Sequence, residues 1–304
     1  MRYLITGATG FIGSHVVDVI LEEPDSLIVA LVKKSSDTWR LPLRSSRFIL
    51  VETDFYHVST TKQQLENYSL KNCIHLAWQG VERKYRNDLI QISNQNITSF
   101  ILNLSKELNI NRFIGIGSQA EYGIKKKAIQ ETDSLDPFTL YGDEKVKASL
   151  LVEKFCKKNC MEYIWLRIFS SYGPKDNNNW LIPYVIGELL INREPKLTNG
   201  LQKWDYMYVK DVARAILSVA QSSKTGIFNL GSGFSITIQE VVNTIYRFLR
   251  PNKKPNFDSL KTNIESYNLE PDMNLFRTHF GLQDTYDFNQ GIKETIDFMK
   301  KQHV

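Results

Sequence analysis

Gly7-Ala8-Thr9-Gly10-Phe11-Ile12-Gly13 follows directly on the apolar run Tyr3-Leu4-Ile5 and opens a segment whose apolar positions, Ile12, Val16 and Ile20, repeat at helical spacing. Glycines at 7, 10 and 13 between a strand and a helix let the turn tighten, the backbone approach a diphosphate and the helix pack close to the strand, with helix N–H groups facing the phosphates. The segment therefore predicts a dinucleotide site made by Gly7, Thr9, Gly10, Phe11, Ile12 and Gly13.

Outward from this motif, short runs that are apolar on both faces recur: Leu27 to Val32, Phe48 to Val51, Cys73 to Leu76, Phe113 to Ile116 and Ile164 to Ile168. Helical patterns lie between them, with Ile97, Phe100, Ile101, Leu104 and Leu108 as one stripe after Asn96 and Val146, Leu150, Leu151 and Phe155 as another. Buried parallel strands alternating with helices predict an α/β fold with a Rossmann-type, doubly wound parallel sheet. Beyond Ile168 the rhythm loosens, with Tyr172-Gly173-Pro174, Asn177-Asn178-Asn179, Pro183, Pro195 and Gly200 as breaks. Residues 1–168 are expected to form the nucleotide-binding domain, with 203–235 returning to it. A helix at Asp211 to Ala220 and a strand at Ile227 to Leu230 belong to that return, and 169–202 with 236–304 form a smaller α/β substrate-binding part.

The 304 residues carry 38 Lys+Arg against 33 Asp+Glu, a net +5 that suits small anions and demands neither nucleic acid nor membrane. The run Lys125-Lys126-Lys127 reads as a solvated loop. There is no uninterrupted apolar stretch of about 18 residues and no charged leader ahead of the first strand. Cys73, Cys156 and Cys160 are an odd number without metal-ligand spacing, Cys73 reading as strand packing and the other two as helix residues. A cytoplasmic chain without a metal is expected.

The second strand ends in Val32-Lys33-Lys34-Ser35-Ser36, where an NAD site ordinarily carries an acidic residue for the ribose 2′-hydroxyl. Two ammonium groups favour a 2′-phosphate, so Lys33 and Lys34 predict NADP(H). Asp54, with Phe55 beside it, is a candidate for the adenine amino group. Tyr141 and Lys145 share a helix face at i and i+4, which lets the cation lower the phenol toward a useful range for proton transfer. Ser118, just past the fifth strand, is placed to polarise a carbonyl oxygen.

With these residues the chain resembles the extended short-chain dehydrogenases/reductases acting on nucleotide sugars, the NAD-dependent epimerase/dehydratase family. The resemblance spans nearly the whole chain. It adds His75-Leu76-Ala77, Asn96, Leu166-Arg167-Ile168-Phe169 leading to Tyr172-Gly173-Pro174, Tyr208-Val209-Lys210-Asp211-Val212-Ala213, and Phe228-Asn229-Leu230-Gly231-Ser232-Gly233. It implies hydride exchange between nicotinamide and a sugar carbon, Tyr141 moving the proton, Lys145 also holding the nicotinamide ribose and Ser118 fixing the carbonyl. It also implies that Leu76, Ala77 and Ile168 line the cofactor, that Asn96 supports the site, and that a homodimer forms through a four-helix bundle.

Departures from the family pattern narrow the reaction. Ser118-Gln119-Ala120 stands where 4,6-dehydratases carry Thr-Asp-Glu, removing the acid/base pair that elimination needs. Trp204 stands where an Arg often contacts the substrate diphosphate, and Ser170 where many members have Asn. With Trp78, Gln119, Ser170, Lys196 and Trp204 as candidate substrate contacts, the pattern looks like the nucleotide-sugar 4-ketoreductases that make 6-deoxyhexoses, such as the CDP-abequose and dTDP-fucose synthases. The expected reaction is NADPH-dependent reduction of a C4 ketone, with 4-epimerisation as the alternative and a non-catalytic NADP-binding regulator as a remote one.

Overall fold

The computed structural model describes residues 1–125, 127–260, 268–281 and 286–302. Strands β1 (Arg2–Thr6), β2 (Leu27–Val32), β3 (Phe48–Glu52), β4 (Asn72–His75), β5 (Arg112–Ser118) and β6 (Glu162–Ile168) alternate with helices α1 (Phe11–Glu22), α2 (Val58–Leu65), α3 (Ile90–Glu107) and α4 (Leu140–Lys158). The first six strands and a later one, Gly226–Leu230, make one seven-stranded sheet, every pair of it parallel. Its order starts 3-2-1-4-5-6, so the chain reverses direction between β1 and β4, and ligands of such sheets bind outside the strand ends at that point.

The strands read correctly because both faces of the sheet are covered: Tyr3 and Ile5 pack with α1, while Leu4 and Cys73 pack with α3 and α4. Beyond β6 come β7 (Ser170–Tyr172), α5 (Leu181–Leu190), β8 (Lys203–Tyr208), α6 (Val209–Gln221), β9 (Gly226–Leu230), β10 (Ser235–Thr237), α7 (Ile238–Leu249), β11 (Asn268–Leu269), α8 (Asn274–Phe280) and α9 (Phe288–Gln302). Strands β7, β8, β10 and β11 form a second, small sheet. The return to the large sheet is α6, whose Val212, Ile216 and Val219 join the core under α1, and β9, which pairs with β6. The return therefore starts at Val209, since β8 belongs to the small sheet and not to the large one.

Three helical readings change. On α4 the buried stripe is Tyr141, Lys145, Ala148, Val152 and Cys156, and Leu150 is 57% exposed. A mixed polar and small inner face hides the true stripe, because that face lines a site as well as a core. On α3, Ile97, Phe100, Ile101 and Leu104 are buried as expected, but Asn96 is exposed and Asn94 is the buried asparagine. Cys160 lies past the end of α4, in an exposed turn at φ 53°, rather than in the helix. In the basic run, Lys125 bonds Ser134, Lys127 pairs with Asp133, and Lys126 lies outside the described residues. No helix among the described residues is long and apolar enough to cross a membrane.

Candidate active site

The glycine loop is built as its sequence demands. Gly7 sits at φ 75°, and a Cβ there would meet Ala77 N and Leu76 C at 2.6 Å, so the loop lies directly on the Leu76-Ala77 segment after β4. A Cβ at Gly13 would stand 2.1 Å from the Gly7 carbonyl oxygen, which only glycine permits. Helix α1 starts at Gly10 with no side-chain cap and no acidic residue in its first turn. Its first N–H groups are thus available to an anion, with the positive end of the helix behind them. Thr9, Phe11 and Ile12 complete the turn. Arg40, from the loop after β2, donates Nη1–H to the Thr9 carbonyl at 3.3 Å and Nε–H to the Lys175 carbonyl at 2.9 Å.

Lys33 and Lys34 are exposed immediately after β2. Asp54 accepts the backbone N–H groups of Tyr56 and His57 and binds the His57 ring at 2.6 Å, which hold its carboxyl down at about 2. Phe55 is buried edge-on against Phe100. Both residues therefore have structural work in the turn that leads to α2.

Ser118 ends β5 beside Ile168, the last residue of β6, at the carboxyl edge of the sheet. Thr139 caps α4 by accepting from Gly142 N–H, and this fixes Tyr141 and Lys145 one turn apart on the face toward Ser118. The Ser118 hydroxyl, which accepts the Ala120 N–H at 3.2 Å, lies near enough to the Tyr141 phenol to favour its ionised form. The Lys145 ammonium donates to the Ile116 carbonyl at 2.6 Å and stands 3.7 Å from the centre of the Trp78 ring. Trp78 in turn meets Tyr141 edge-on at 6.1 Å and donates Nε1–H to Gln91. Ser118, Tyr141, Lys145 and Trp78 are thus brought together, with Gln119 half-buried in the turn that follows. Ser170 and Trp204 lie on β7 and β8 of the small sheet, Trp204 packed with Tyr122, Ile129, Phe169 and Leu269. Lys196 is exposed on the loop before β8, its backbone N–H donated to the Tyr184 hydroxyl.

The electrostatics correct one expectation. Burial pushes the Tyr141 phenol up; the nearby Ser118 hydroxyl and the positive charge of Arg86 pull it down, and Glu121 raises it. The expected lowering by Lys145 is not what the geometry shows: the ammonium is 5.9 Å from the ring centre and directed at a backbone carbonyl. Burial brings Lys145 itself down to about 7, against the favourable field of Glu121.

Three features escaped the sequence reading. Glu121, 0% exposed, accepts the Ser118 N–H at 2.9 Å, the Trp165 indole N–H and the Arg167 guanidinium at 2.7 Å. Arg167 also donates to the Tyr122 hydroxyl, which donates to Asn229 on β9. Glu121 and Arg167 are 46 residues apart, and only the β5–β6 pairing reveals them as partners. Asp205, buried on β8, accepts from the N–H groups of Ser232, Gly233 and Phe234 and from the Ser232 hydroxyl, which explains the Gly231-Ser232-Gly233 turn after β9. Asn94, in place of Asn96, holds the loop before α3 by taking the Gln79 N–H and giving an N–H to the Gln79 carbonyl.

The profile of the NAD dependent epimerase/dehydratase family matches residues 3–231. The mouse protein dTDP-D-glucose 4,6-dehydratase is 23% identical over 99% of this chain and 89% of its own length. UDP-glucuronate 4-epimerase of Thermodesulfobacterium geofontis is 24% identical over 98% and 96%. The crystal structure of UDP-glucuronic acid 4-epimerase from Bacillus cereus, in complex with UDP-glucuronic acid and NAD, superposes with a TM-score of 0.85 at 22% identity, covering 99% of this chain and all of the other. A glycine-lined helix start at the reversal point, a Ser-Tyr-Lys set across it and a profile match over three quarters of the sequence agree: the chain belongs to the NAD dependent epimerase/dehydratase family.

Proposed function

We propose that this protein interconverts the C4 hydroxyl and the C4 ketone of a nucleotide-linked sugar, using a nicotinamide dinucleotide. The observation that carries the reading is Ser118 at the carboxyl end of β5, with Tyr141 and Lys145 one turn apart on α4 and the uncapped, glycine-lined start of α1 at the same edge of the parallel sheet. The α1 N–H groups would take the diphosphate, while Leu76, Ala77 and Ile168 would line the cofactor and Lys145 would hold its nicotinamide ribose. That cofactor, when bound, supplies the hydride acceptor and donor. Ser118 fixes the C4 oxygen, and Tyr141 takes its proton as the ketone forms and returns it as the alcohol re-forms.

The relatives named above include 4-epimerases, so they support 4-epimerisation, in which one retained cofactor oxidises and re-reduces the same carbon. The exposed Lys33 and Lys34, with no acid at the end of β2, favour a second reading: NADP(H) as cofactor and net reduction of a 4-keto-6-deoxy sugar. Elimination of water is the least supported outcome, since Gln119 and Ala120 offer no proton and Glu121 is committed to Arg167. The outward-facing Leu150 of α4 and Ile92 of α3 support a homodimer through these helices. Three free cysteines support a reducing, cytoplasmic setting.

The test is to release and identify any cofactor retained on purification, then offer UDP-, dTDP-, CDP- and GDP-linked sugars and their 4-keto forms, following NADPH absorbance and product by NMR. Epimerisation gives mixed C4 epimers without net NADPH loss; reduction consumes one NADPH per alcohol. Tyr141→Phe should lower turnover by about 10²–10⁴-fold, and near-normal turnover in that variant would sink both readings.

A further inference from the structure

The loop between β4 and α3 delivers a second positive charge to the reacting centre. Its backbone is tied down on three sides. The Gln91 side chain donates to the Gly80 and Tyr85 carbonyls at 2.7 and 2.9 Å, Asn94 brackets Gln79, and the loop itself caps α4. In that cap the Arg86 carbonyl accepts the Tyr141 N–H at 2.8 Å, and the Asn87 side chain accepts the Leu140 N–H at 3.0 Å. Arg86 is thereby anchored at its main chain to the very residue its side chain covers.

The guanidinium carbon of Arg86 lies 5.0 Å from the centre of the Tyr141 ring, nearer than the Lys145 ammonium at 5.9 Å. Its Nε is buried and has no hydrogen-bond partner among the described residues. A buried guanidinium N–H without an acceptor is costly, and the face of the Tyr141 ring offsets that cost here. Once the ring oxygen carries a negative charge, the same guanidinium gains a full counter-charge in a site of low dielectric.

We propose that Arg86 is a second cation of this centre, acting through Tyr141: it stabilises the phenolate that is left when Tyr141 gives its proton to the C4 oxygen, and that takes a proton back in the opposite direction. The proposal rests on the role given to Tyr141 above. It assigns Arg86 a positioning and charge-supplying role in an arrangement where Lys145 is directed at the Ile116 carbonyl. Around Tyr141 the groups with charge or polarity are Arg86 from the loop, Lys145 from α4 itself, and Ser118 and Glu121 from the end of β5 and its turn. Burial takes Lys145 to about 7, so its proton is lost through the neutral range, whereas a guanidinium stays charged. Arg86 therefore dominates the alkaline side.

The experiment titrates Tyr141 directly by NMR of protein carrying ¹³Cζ-tyrosine, the resonance being assigned by its loss in Tyr141→Phe, in wild type, Arg86→Met and Arg86→Lys. A unit charge at about 5 Å and intermediate dielectric moves a neighbouring titration by about one pH unit or more. Arg86→Met should shift the Tyr141 midpoint upward by about one unit, and Arg86→Lys by a few tenths. Turnover on the accepted nucleotide sugar should fall by about tenfold in Arg86→Met, mostly in kcat, with its Tyr141-controlled limb displaced by the same amount. A midpoint that stays put in both variants overturns the proposal, as does an equal upward shift in both. If Arg86→Met does not fold, Arg86→Gln replaces it with the same criterion. A shifted midpoint in a protein that turns over no nucleotide sugar leaves Arg86 as assigned and removes the functional reading instead.

Discussion

Charges flank the crevice on both sides of the β1–β4 reversal, and they are built in opposite ways. At the end of β2, Lys33 and Lys34 stand in solvent, and their side chains make no hydrogen bond or ion pair among the described residues. Beneath the end of β5, Glu121 and Arg167 are 0% and 2% exposed and are bonded to each other, to the Ser118 N–H, to Trp165 and to Tyr122. Exposed charges gain from whatever arrives and lose little when nothing does. Buried charges must be satisfied by the protein itself, at the cost of desolvation, and what they supply in exchange is a fixed geometry. The β2 end is therefore suited to selecting a ligand and the β5 end to holding Ser118 still.

The strongest way to break this contrast is at Arg167. Arg167→Met leaves Glu121 buried without its counter-charge, and removing one partner of such a pair costs about 3–5 kcal/mol. Urea unfolding should show that loss as a lower midpoint, and Glu121→Gln combined with Arg167→Met should recover part of it. If the single variant were as stable as the parent, the pair would have no structural weight and the contrast would collapse.

Lys145 is the next point of attack, because it is a buried cation without a bonded counter-charge among the described residues, its ammonium donating to the Ile116 carbonyl. The unfolded lysine keeps its proton to about 10.5 and the folded one to about 7. Between those values the unfolded chain binds the extra proton, so this group's contribution to stability rises with pH, and its burial costs most at or below pH 7. Lys145→Met should then be more stable than wild type at pH 7, by on the order of 2 kcal/mol once the unpaired Ile116 carbonyl is allowed for. Its advantage should fade toward pH 10.5. Thermal melts across that range would read both. A variant less stable at pH 7 would mean that the field of Glu121 outweighs burial at this lysine.

What the sequence disclosed follows the same division. Local requirements were legible: Gly13 is forced by the Gly7 carbonyl 2.1 Å from where its Cβ would be, and each buried strand is apolar on both faces because both faces are covered. Ser118, Tyr141 and Lys145 were legible as a set because the strand and helix that carry them come in a fixed order. Glu121 with Arg167 was not, since no local pattern joins two charges across neighbouring strands. Arg86 was hidden in a loop whose path is set by Gln91 and Asn94. The inner face of α4 does not read as an apolar stripe because Gly142, Lys145 and Ser149 interrupt it: Lys145 bonds the Ile116 carbonyl at the sheet edge, and Gly142 leaves no room for a Cβ beside the Ala120 carbonyl.

The smallest effect is expected at the exposed end, where it bears on the choice of cofactor. Replacing Lys33 by Glu and Lys34 by Ala puts a carboxylate where the 2′-substituent of the adenosine ribose would lie. It should weaken NADPH by about tenfold, roughly 1.4 kcal/mol, while leaving NADH unchanged or tighter. The preference should also weaken in salt, because charges this exposed are screened within about 8–10 Å at physiological ionic strength. Calorimetric titration of both cofactors into both proteins, at low and high salt, separates the cases. Equal affinity of the parent for NADH and NADPH would mean that Lys33 and Lys34 do not select the phosphate, and would turn the balance toward an epimerase holding NAD. Arg40 would then be the next cation to replace at that end, its guanidinium being bonded to the Thr9 and Lys175 carbonyls against the glycine loop.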